Sequence, residues 1–324
     1  MSSVKERLLP LLSDREDKFL SGAEAAKKLG VSRAAVWKAV TSLRKDGYDI
    51  EAVTNKGYRI SAGDALSAEK ITENLGKLAD RLKIEVKSSV PSTNALLKEQ
   101  AAEGAPEGTV LIASEQTAGR GRFSRRFYSP AGSGVYMSIL LRPDIPCESA
   151  VLITTAAAVA AAEAAEALSG RSAGIKWVND VLIGGRKICG ILTEASVNIE
   201  SGVLDYAVVG IGINAYAPKE GFPPELSETA AAVFEERRNG LMSQLAAEVL
   251  RGFYKYYEKI GSRECLDAYR KRCVAAGKKI TVFSAGKPRS ALALDIDDRY
   301  RLHVRFADNS EEYLSSGEIS IKFL

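Results

Sequence analysis

Histidine is almost missing from this chain: His303 is the only one in 324 residues. Covalent catalysis through a Ser-His or Cys-His couple would therefore have to run through that one position. The four cysteines (Cys147, Cys189, Cys265 and Cys273) form no CxxC pair and have no histidine cluster beside them. Neither a structural zinc site nor a disulfide framework is expected. No glycine-rich stretch closes on Gly-Lys-Ser or Gly-Lys-Thr, so a Walker A phosphate loop is excluded. The chain opens Met-Ser-Ser-Val-Lys-Glu-Arg, without the apolar run of a signal peptide. Its longest weakly polar stretch, Ala150 to Ala162, is rich in alanine, too short to cross a bilayer, and reads as a buried helix. These absences lead to the expectation of a cytoplasmic protein with no membrane partner.

What is present is globular: 46% hydrophobic and 27% charged residues, in a chain long enough for two or three domains. The net charge of +4 is unevenly spread. Residues 1–60 hold 12 Lys and Arg against 8 Asp and Glu, whereas the remainder holds 33 of each. All the basic excess lies in the first sixty residues, which points to a polyanionic partner for that segment.

The pattern there agrees. Ser21-Gly22-Ala23-Glu24 reads as a capping box ahead of a helix from Gly22 to Leu29, which stops at Gly30. Ser32 caps a second helix, Arg33 to Lys45, whose apolar face is Val36, Val40 and Leu43. Ile50–Val53 and Gly57–Ile60 then flank Thr54-Asn55-Lys56 as a hairpin. Two short helices joined through a glycine turn and followed by a hairpin resemble a winged-helix DNA-binding domain. That resemblance implies duplex DNA as partner, read by Ser32, Arg33, Ala34 and Lys38 from the second helix, with Trp37 and Lys56 on sugar and phosphate. Ser21 is counted with them. A protein-docking module would use similar helices; the basic excess favours DNA.

From about residue 66 to 270, strand patterns alternate with helices. Strands are predicted at Ile84–Lys87, Thr109–Ala113, Val135–Leu141 and Ala207–Ile213, with a long helix from Ala150 to Leu168. A hairpin turns at Gly184-Gly185. Four short sequences here carry polar groups that a core would not choose. Ser92-Thr93-Asn94 precedes a helix, and by itself is explained as an N-cap. Gln116 to Tyr128 holds Arg120, Arg122, Arg125 and Arg126 in seven residues, the first two interleaved with Gly119 and Gly121. Glycine lets that backbone approach an anion closely, and the guanidinium groups supply forked donors. Lys176-Trp177-Val178-Asn179-Asp180 ends a strand, and Arg186-Lys187 enters an apolar one.

In this order, and with Gly-Ile-Gly-Ile-Asn at 210–214, these sequences closely resemble the biotin protein ligase family, in the form that doubles as a transcriptional repressor. The resemblance runs over essentially the whole chain. It implies an α+β multidomain protein: a winged helix at 1–64, a mixed-sheet catalytic domain like a class II synthetase at 65–270, and a small SH3-like β-barrel at 271–324. The implied activity joins biotin to ATP, giving biotinyl-5′-adenylate and pyrophosphate. The acyl group then passes to a lysine of the biotin carboxyl carrier domain of a carboxylase. Further implied are a homodimer when the adenylate is bound and a palindromic operator for the repressor.

By the same resemblance, Ser92, Thr93, Asn94 and Gln116 contact biotin. Gly119, Arg120, Gly121 and Arg122 close over biotin and the adenylate phosphate, and Lys187 acts at the reacting carboxyl and α-phosphate. Phe127, Trp177 and Asn179 are candidates for adenine, and Asn179 and Asp180 for Mg²⁺ on the phosphates. Val178, Ser124 and Phe127 stand where the family commonly has proline, glycine and tryptophan. Two other readings fit less well: a lipoate or octanoate ligase, and a ligand-sensing repressor without ligase activity. On the favoured reading the arginine loop is a lid over a small adenylate, and DNA belongs to the first sixty residues.

Overall fold

A computed structural model of the chain describes residues 3–13, 18–45, 50–60, 64–198, 200–284, 287–315 and 318–321. It begins with helices α1 (Val4–Ser13), α2 (Gly22–Leu29) and α3 (Arg33–Lys45), then the antiparallel strands β1 (Ile50–Val53) and β2 (Gly57–Ile60). Ser21 Oγ accepts the Glu24 N–H at 3.1 Å to start α2, which ends at Gly30 with a left-handed φ of 65°. Ser32 caps α3 in the same way through the N–H of Ala35. Val36, Val40 and Leu43 are buried against Leu8, Leu20 and Ile50 in an apolar cluster separate from the main core. The predicted helix-turn-helix and wing are thus formed. Helix α1 is an addition, because Pro10 lies within it and proline argues against a helix interior. Burial of Leu8 and Leu12 prevails over that local preference. Of the predicted linker at residues 63–65, Gly63 falls outside the described residues.

Beyond the linker come α4 (Ala68–Leu75), β3 (Lys83–Lys87), α5 (Thr93–Ala102), β4 (Thr109–Ala113), β5 (Gly134–Leu141) and α6 (Val151–Ser169). They are followed by β6 (Ala173–Lys176), β7 (Asp180–Ile183), β8 (Arg186–Val197), β9 (Leu204–Asn214), α7 (Leu241–Tyr257) and α8 (Arg263–Arg272). Strands β3 to β9 make one mixed sheet in the order β3-β4-β5-β9-β8-β7-β6, in which only the β3–β4 pair is parallel. Strands β4 and β5 are buried on both faces, and so read as continuous apolar runs. Side chains alternate between faces. Leu111, Leu140 and Val208 meet Leu97 of α5 on one side, while Val110, Met137 and Ile139 join α6 and α7 on the other.

Helix α6 is alanine-rich because α7 lies close against it: a Cβ on Gly252 of α7 would come within 3.2 Å of Ala160. With the turn before it, Cys147–Ser169 is long and apolar enough to cross a membrane, which the shorter stretch read from the sequence was not. Here it is the core helix, with Ala156 to Ala162 no more than 1% exposed. Helices α7 and α8 have no counterpart in the motif reading. At the start of α7, buried Asp64 accepts hydrogen bonds from the Met242 N–H and, at 2.7 Å, from Tyr216 Oη. Burial pushes its carboxyl above the ordinary value despite those bonds.

The chain ends in β10 (Lys279–Ser284), β11 (Lys287–Ile296), β12 (Leu302–Phe306), β13 (Glu311–Leu314) and β14 (Glu318–Ile321). They form an antiparallel sheet in the order β13-β12-β11-β10-β14, with a bulge between Ala293 and Asp295. This is the expected small β unit. Among the described residues β13 and β14 remain edges, and no pair of strands closes the sheet into the expected barrel. Lys322 of the last predicted strand lies outside the described residues. Ile280, Val282, Leu302 and Val304 continue the central core rather than making one of their own.

Candidate active site

A cleft lies over the centre of the large sheet. Ser92, Thr93 and Asn94 at the start of α5 wall it on one side, with Gln116, Arg120, Gly121, Arg122 and Phe127 above and Asn179 and Lys187 opposite. Its floor is Gly190 of β8 with Gly210 and Gly212 of β9. These glycines are required by space. A Cβ on Gly212 would meet the Phe127 ring at 2.4 Å, and one on Gly190 would lie 3.0 Å from Lys187 Nζ. The sequences singled out at 92–94, 116–128, 176–180, 186–192 and 210–214 thus meet at one place.

The wall is densely hydrogen-bonded. Gln116 Oε1 accepts the Thr93 N–H at 2.9 Å and lies 3.1 Å from Thr93 Oγ1, while Gln116 Nε2 donates to Ser129 Oγ. Asn94 is 5% exposed; its Nδ2 donates to the Leu192 carbonyl and to Glu194 Oε2. Both amide protons are therefore used within the protein. Asn94, expected to contact biotin, lines the cleft and also braces α5 against β8. Ser92 Oγ accepts the Ala95 N–H as the N-cap of α5. Ser138 and Glu194 were missed by the sequence reading, since a serine and a glutamate within strands carry no local signal. Burial raises the Glu194 carboxyl, but hydrogen bonds from Lys98 and Asn94 outweigh it and hold the group below its ordinary value.

The arginine loop is a narrow ribbon. Gln116 N–H bonds the Ser129 carbonyl, Phe127 N–H the Gly119 carbonyl and Gly121 N–H the Arg125 carbonyl, so the loop doubles back on itself. Gly119 has no room for a side chain: a Cβ would lie 2.6 Å from the Phe127 carbonyl oxygen. At the tip, Phe123 and Ser124 have φ of 55° and 59°, a left-handed conformation that glycine adopts far more easily. A glycine at position 124 would take up that conformation with less strain. Arg120 is exposed at the mouth, and Arg122 donates to Asn179 Oδ1 at 3.0 Å.

Lys187 enters from β8 and pairs with Asp180 Oδ1 at 2.6 Å. Its backbone is bonded to Thr229 and Ala231, which brings the irregular segment 215–240 alongside the cleft. The sequence gives no sign of this, because that segment has no periodicity. The metal expectation fits poorly. Asp180 is taken by Lys187, and Asn179 by Arg122 and the Ile191 carbonyl. Among the described residues no three His, Cys, Asp or Glu side chains gather to hold an ion. Cys189, two residues on, is fully buried, and burial pushes its thiol well up, out of use as a nucleophile.

Phe127 rests on the glycine floor with its ring 5.9 Å from Lys187 Nζ. Trp177 lies outside the cleft. It is 3% exposed, and its Nε1 donates to the Tyr300 carbonyl at 2.9 Å, tying the large sheet to the C-terminal strands. A side chain so enclosed has no free face for adenine, which corrects that candidate. His303 stacks on Tyr313 and touches Asp295 and Glu311, far from any cleft residue in sequence and pairing. At the other end, Ser32, Arg33, Ala34 and Lys38 are exposed along α3, with Trp37 58% exposed. Lys56 is exposed on the wing, whereas Ser21 is half-buried and engaged as a cap.

A mixed sheet flanked by helices, a glycine-floored cleft ringed by arginine and lysine, and an N-terminal helix-turn-helix define an α+β ligase-type domain joined to a DNA-binding module. Residues 86–214 match the Biotin/lipoate A/B protein ligase family, and residues 5–59 match an HTH domain. The chain belongs to the biotin/lipoate protein ligase family, in the form that carries an N-terminal helix-turn-helix. It is 41% identical over 233 residues to the Bifunctional ligase/repressor BirA of Bacillus subtilis (strain 168), covering 72% of this chain and 71% of that protein. A Biotin--[acetyl-CoA-carboxylase] ligase of Mycobacterium tuberculosis is 32% identical over 226 residues, 68% of this chain and 82% of that one. The fold is shared with the biotin protein ligase of Aquifex aeolicus solved in complex with biotin and ATP. There the TM-score is 0.61 at 24% identity, over 74% of this chain and 98% of the other.

Proposed function

We propose that this protein is a biotin–protein ligase that also represses transcription in response to biotin. The observation that carries the reading is the convergence of Thr93, Gln116, Arg120, Arg122 and Lys187 on one cleft from three separate stretches of chain. A biotin carboxylate oxygen attacks the α-phosphorus of ATP, the bond to the β-phosphate breaks, and pyrophosphate leaves. The carboxylate and triphosphate repel each other, and fixed cations offset the charge that builds as they approach. Lys187, Arg120 and Arg122 have the chemistry for this, with Gly119 and Gly121 letting the backbone come close. A carrier lysine then attacks the acyl carbon and AMP leaves. The adenylate is itself the activated acyl group, so no enzyme nucleophile is needed. Ser92, Thr93 and Gln116 take the polar ring of biotin, and Phe127 and Asn179 border the nucleotide. Mg²⁺ belongs to ATP, as the counter-ion of its phosphates, rather than to a protein-built site. We place the domain limits at 64/65 and 270/271.

Purified protein given ATP, Mg²⁺ and biotin is expected to biotinylate a carrier domain on one lysine, read by mass spectrometry. Activity with lipoate and none with biotin would sink the reading. For repression, α3 lies in the major groove of a palindromic operator and a homodimer forms when the adenylate is bound. No membrane is involved. Duplex affinity is expected to rise on adding biotin with ATP and to fall steeply with salt, as phosphate neutralisation requires. Sedimentation and gel-shift titrations check this; affinity indifferent to biotin and ATP would remove the regulatory half.

A further inference from the structure

Glu194, Asn94, Ser138, Thr93 and Gln116 form an unbroken hydrogen-bonded chain along the cleft wall, and counting protons gives it a direction. Asn94 Nδ2 faces the Leu192 carbonyl at 3.2 Å and Glu194 Oε2 at 2.9 Å. The first can only accept, and the second belongs to a carboxylate that also holds Lys98 Nζ at 2.6 Å. The amide therefore has one workable orientation. Its Oδ1 looks at Ser138 Oγ, 2.6 Å away, and takes that hydroxyl's single proton. Ser138 Oγ is also 2.7 Å from Thr93 Oγ1, so the proton between those two oxygens comes from Thr93. The other acceptor open to Thr93, Gln116 Oε1, is 3.1 Å away and already holds the Thr93 N–H. That distance is longer than the roughly 2.5–3.0 Å of an ordinary O–H···O bond, whereas 2.7 Å without a proton would press two lone pairs together. Ser138 is 0% exposed and Thr93 3%, which leaves no solvent to supply the missing proton.

Thr93 Oγ1 and Gln116 Oε1 then face the cleft side by side, both as acceptors. We infer that Ser138, oriented by Asn94 and Glu194, is a specificity-determining positioning residue: it holds Thr93 as an acceptor and so selects a ligand bearing ring N–H donors. The inference rests on the biotin ligase reading and specifies how its polar end discriminates. A cyclic urea supplies such donors. A dithiolane ring or a plain acyl chain does not, and would leave two buried acceptors unpaired, the kind of mismatch that rejects a ligand strongly.

The test is Ser138→Ala, which removes one buried oxygen and frees the Thr93 proton to turn toward Gln116. Adenylation is followed by pyrophosphate exchange with biotin and with biotins N-methylated at either ring nitrogen. For the wild type, at least one N-methyl isomer should be disfavoured about tenfold or more. In Ser138→Ala, KM for biotin should rise about tenfold, with kcat and KM for ATP within about twofold, and the gap between biotin and the N-methyl isomer should narrow. Ser138→Cys keeps a weaker donor and should fall between. An equal loss for all three ligands, or kcat and the KM for ATP moving in step, would reveal mere loss of structure and overturn the inference. So would a Ser138→Ala enzyme indistinguishable from wild type. A wild type that adenylates no biotin at all fails one step earlier, and takes the ligase reading down with it.

Discussion

Replacing Lys187 by methionine is expected to lower kcat for adenylate formation by about a hundred- to a thousandfold, the usual cost of removing a fixed charge from where a transition state develops it. The side chain is in place for this: Nζ lies at the cleft and is steered by Asp180 at 2.6 Å, with Gly190 leaving room beneath it. Methionine keeps the length and the apolar stem, so the wall should survive. The pair is partly exposed, so its loss should cost little stability. Pyrophosphate exchange gives the rate, and transfer from pre-formed biotinyl-adenylate separates the two half-reactions. Loss of exchange with near-normal transfer would assign Lys187 to activation. A fall of less than about tenfold in exchange would remove Lys187 from the reacting centre.

The second large effect concerns a residue with no side chain. An added Cβ on Gly210 would lie 2.2 Å from Asn94 Oδ1 and 2.9 Å from its Cγ. Asn94 cannot swing aside cheaply, because both its amide protons and its oxygen are bonded inside the wall. Gly210→Ala must either break those bonds or shift β9, which is paired on both sides. Overpacking plus stranded buried polar groups suggests a loss of about 3–5 kcal/mol. For a unit of this size that is roughly 6–20 °C in Tm, measurable by calorimetry, together with loss of biotin binding. Gly190→Ala is the control, since its Cβ meets the flexible end of Lys187 at 3.0 Å and the edge of the Phe127 ring at 3.1 Å, both side chains at the cleft rather than in the bonded wall. It should cost activity and little stability. If Gly210→Ala melts like wild type, the rigid wall described here is wrong.

Much of this protein can be read from local patterns. Capping at Ser21 and Ser32, the stop at Gly30, and the hairpin at Asn55 depend on residues a few positions apart, and each element formed where the pattern puts it. Strands β4 and β5 are legible for a related reason, because burial on both faces permits only apolar residues. Less legible were α1, where Pro10 conflicts with burial, and α7 and α8, which carry no motif. Trp177 shows the limit most clearly. Its neighbours in sequence border the cleft, yet the indole is drawn away to Tyr300, 123 residues further along.

The sequence by itself determined the near-absence of histidine, the order of the motifs and the basic excess of the first sixty residues. Together these set the class of chemistry and the family. Only the tertiary structure decided which polar groups meet across the cleft wall. Asn94 and Thr93 are adjacent in sequence and both line the cleft, but Asn94 bonds Leu192, Glu194 and Ser138, whereas Thr93 bonds Gln116 and Ser138. A hydrogen bond depends on partners within about 3 Å in space, and those partners come from strands some 40 to 100 residues away. No pattern along the chain records that choice.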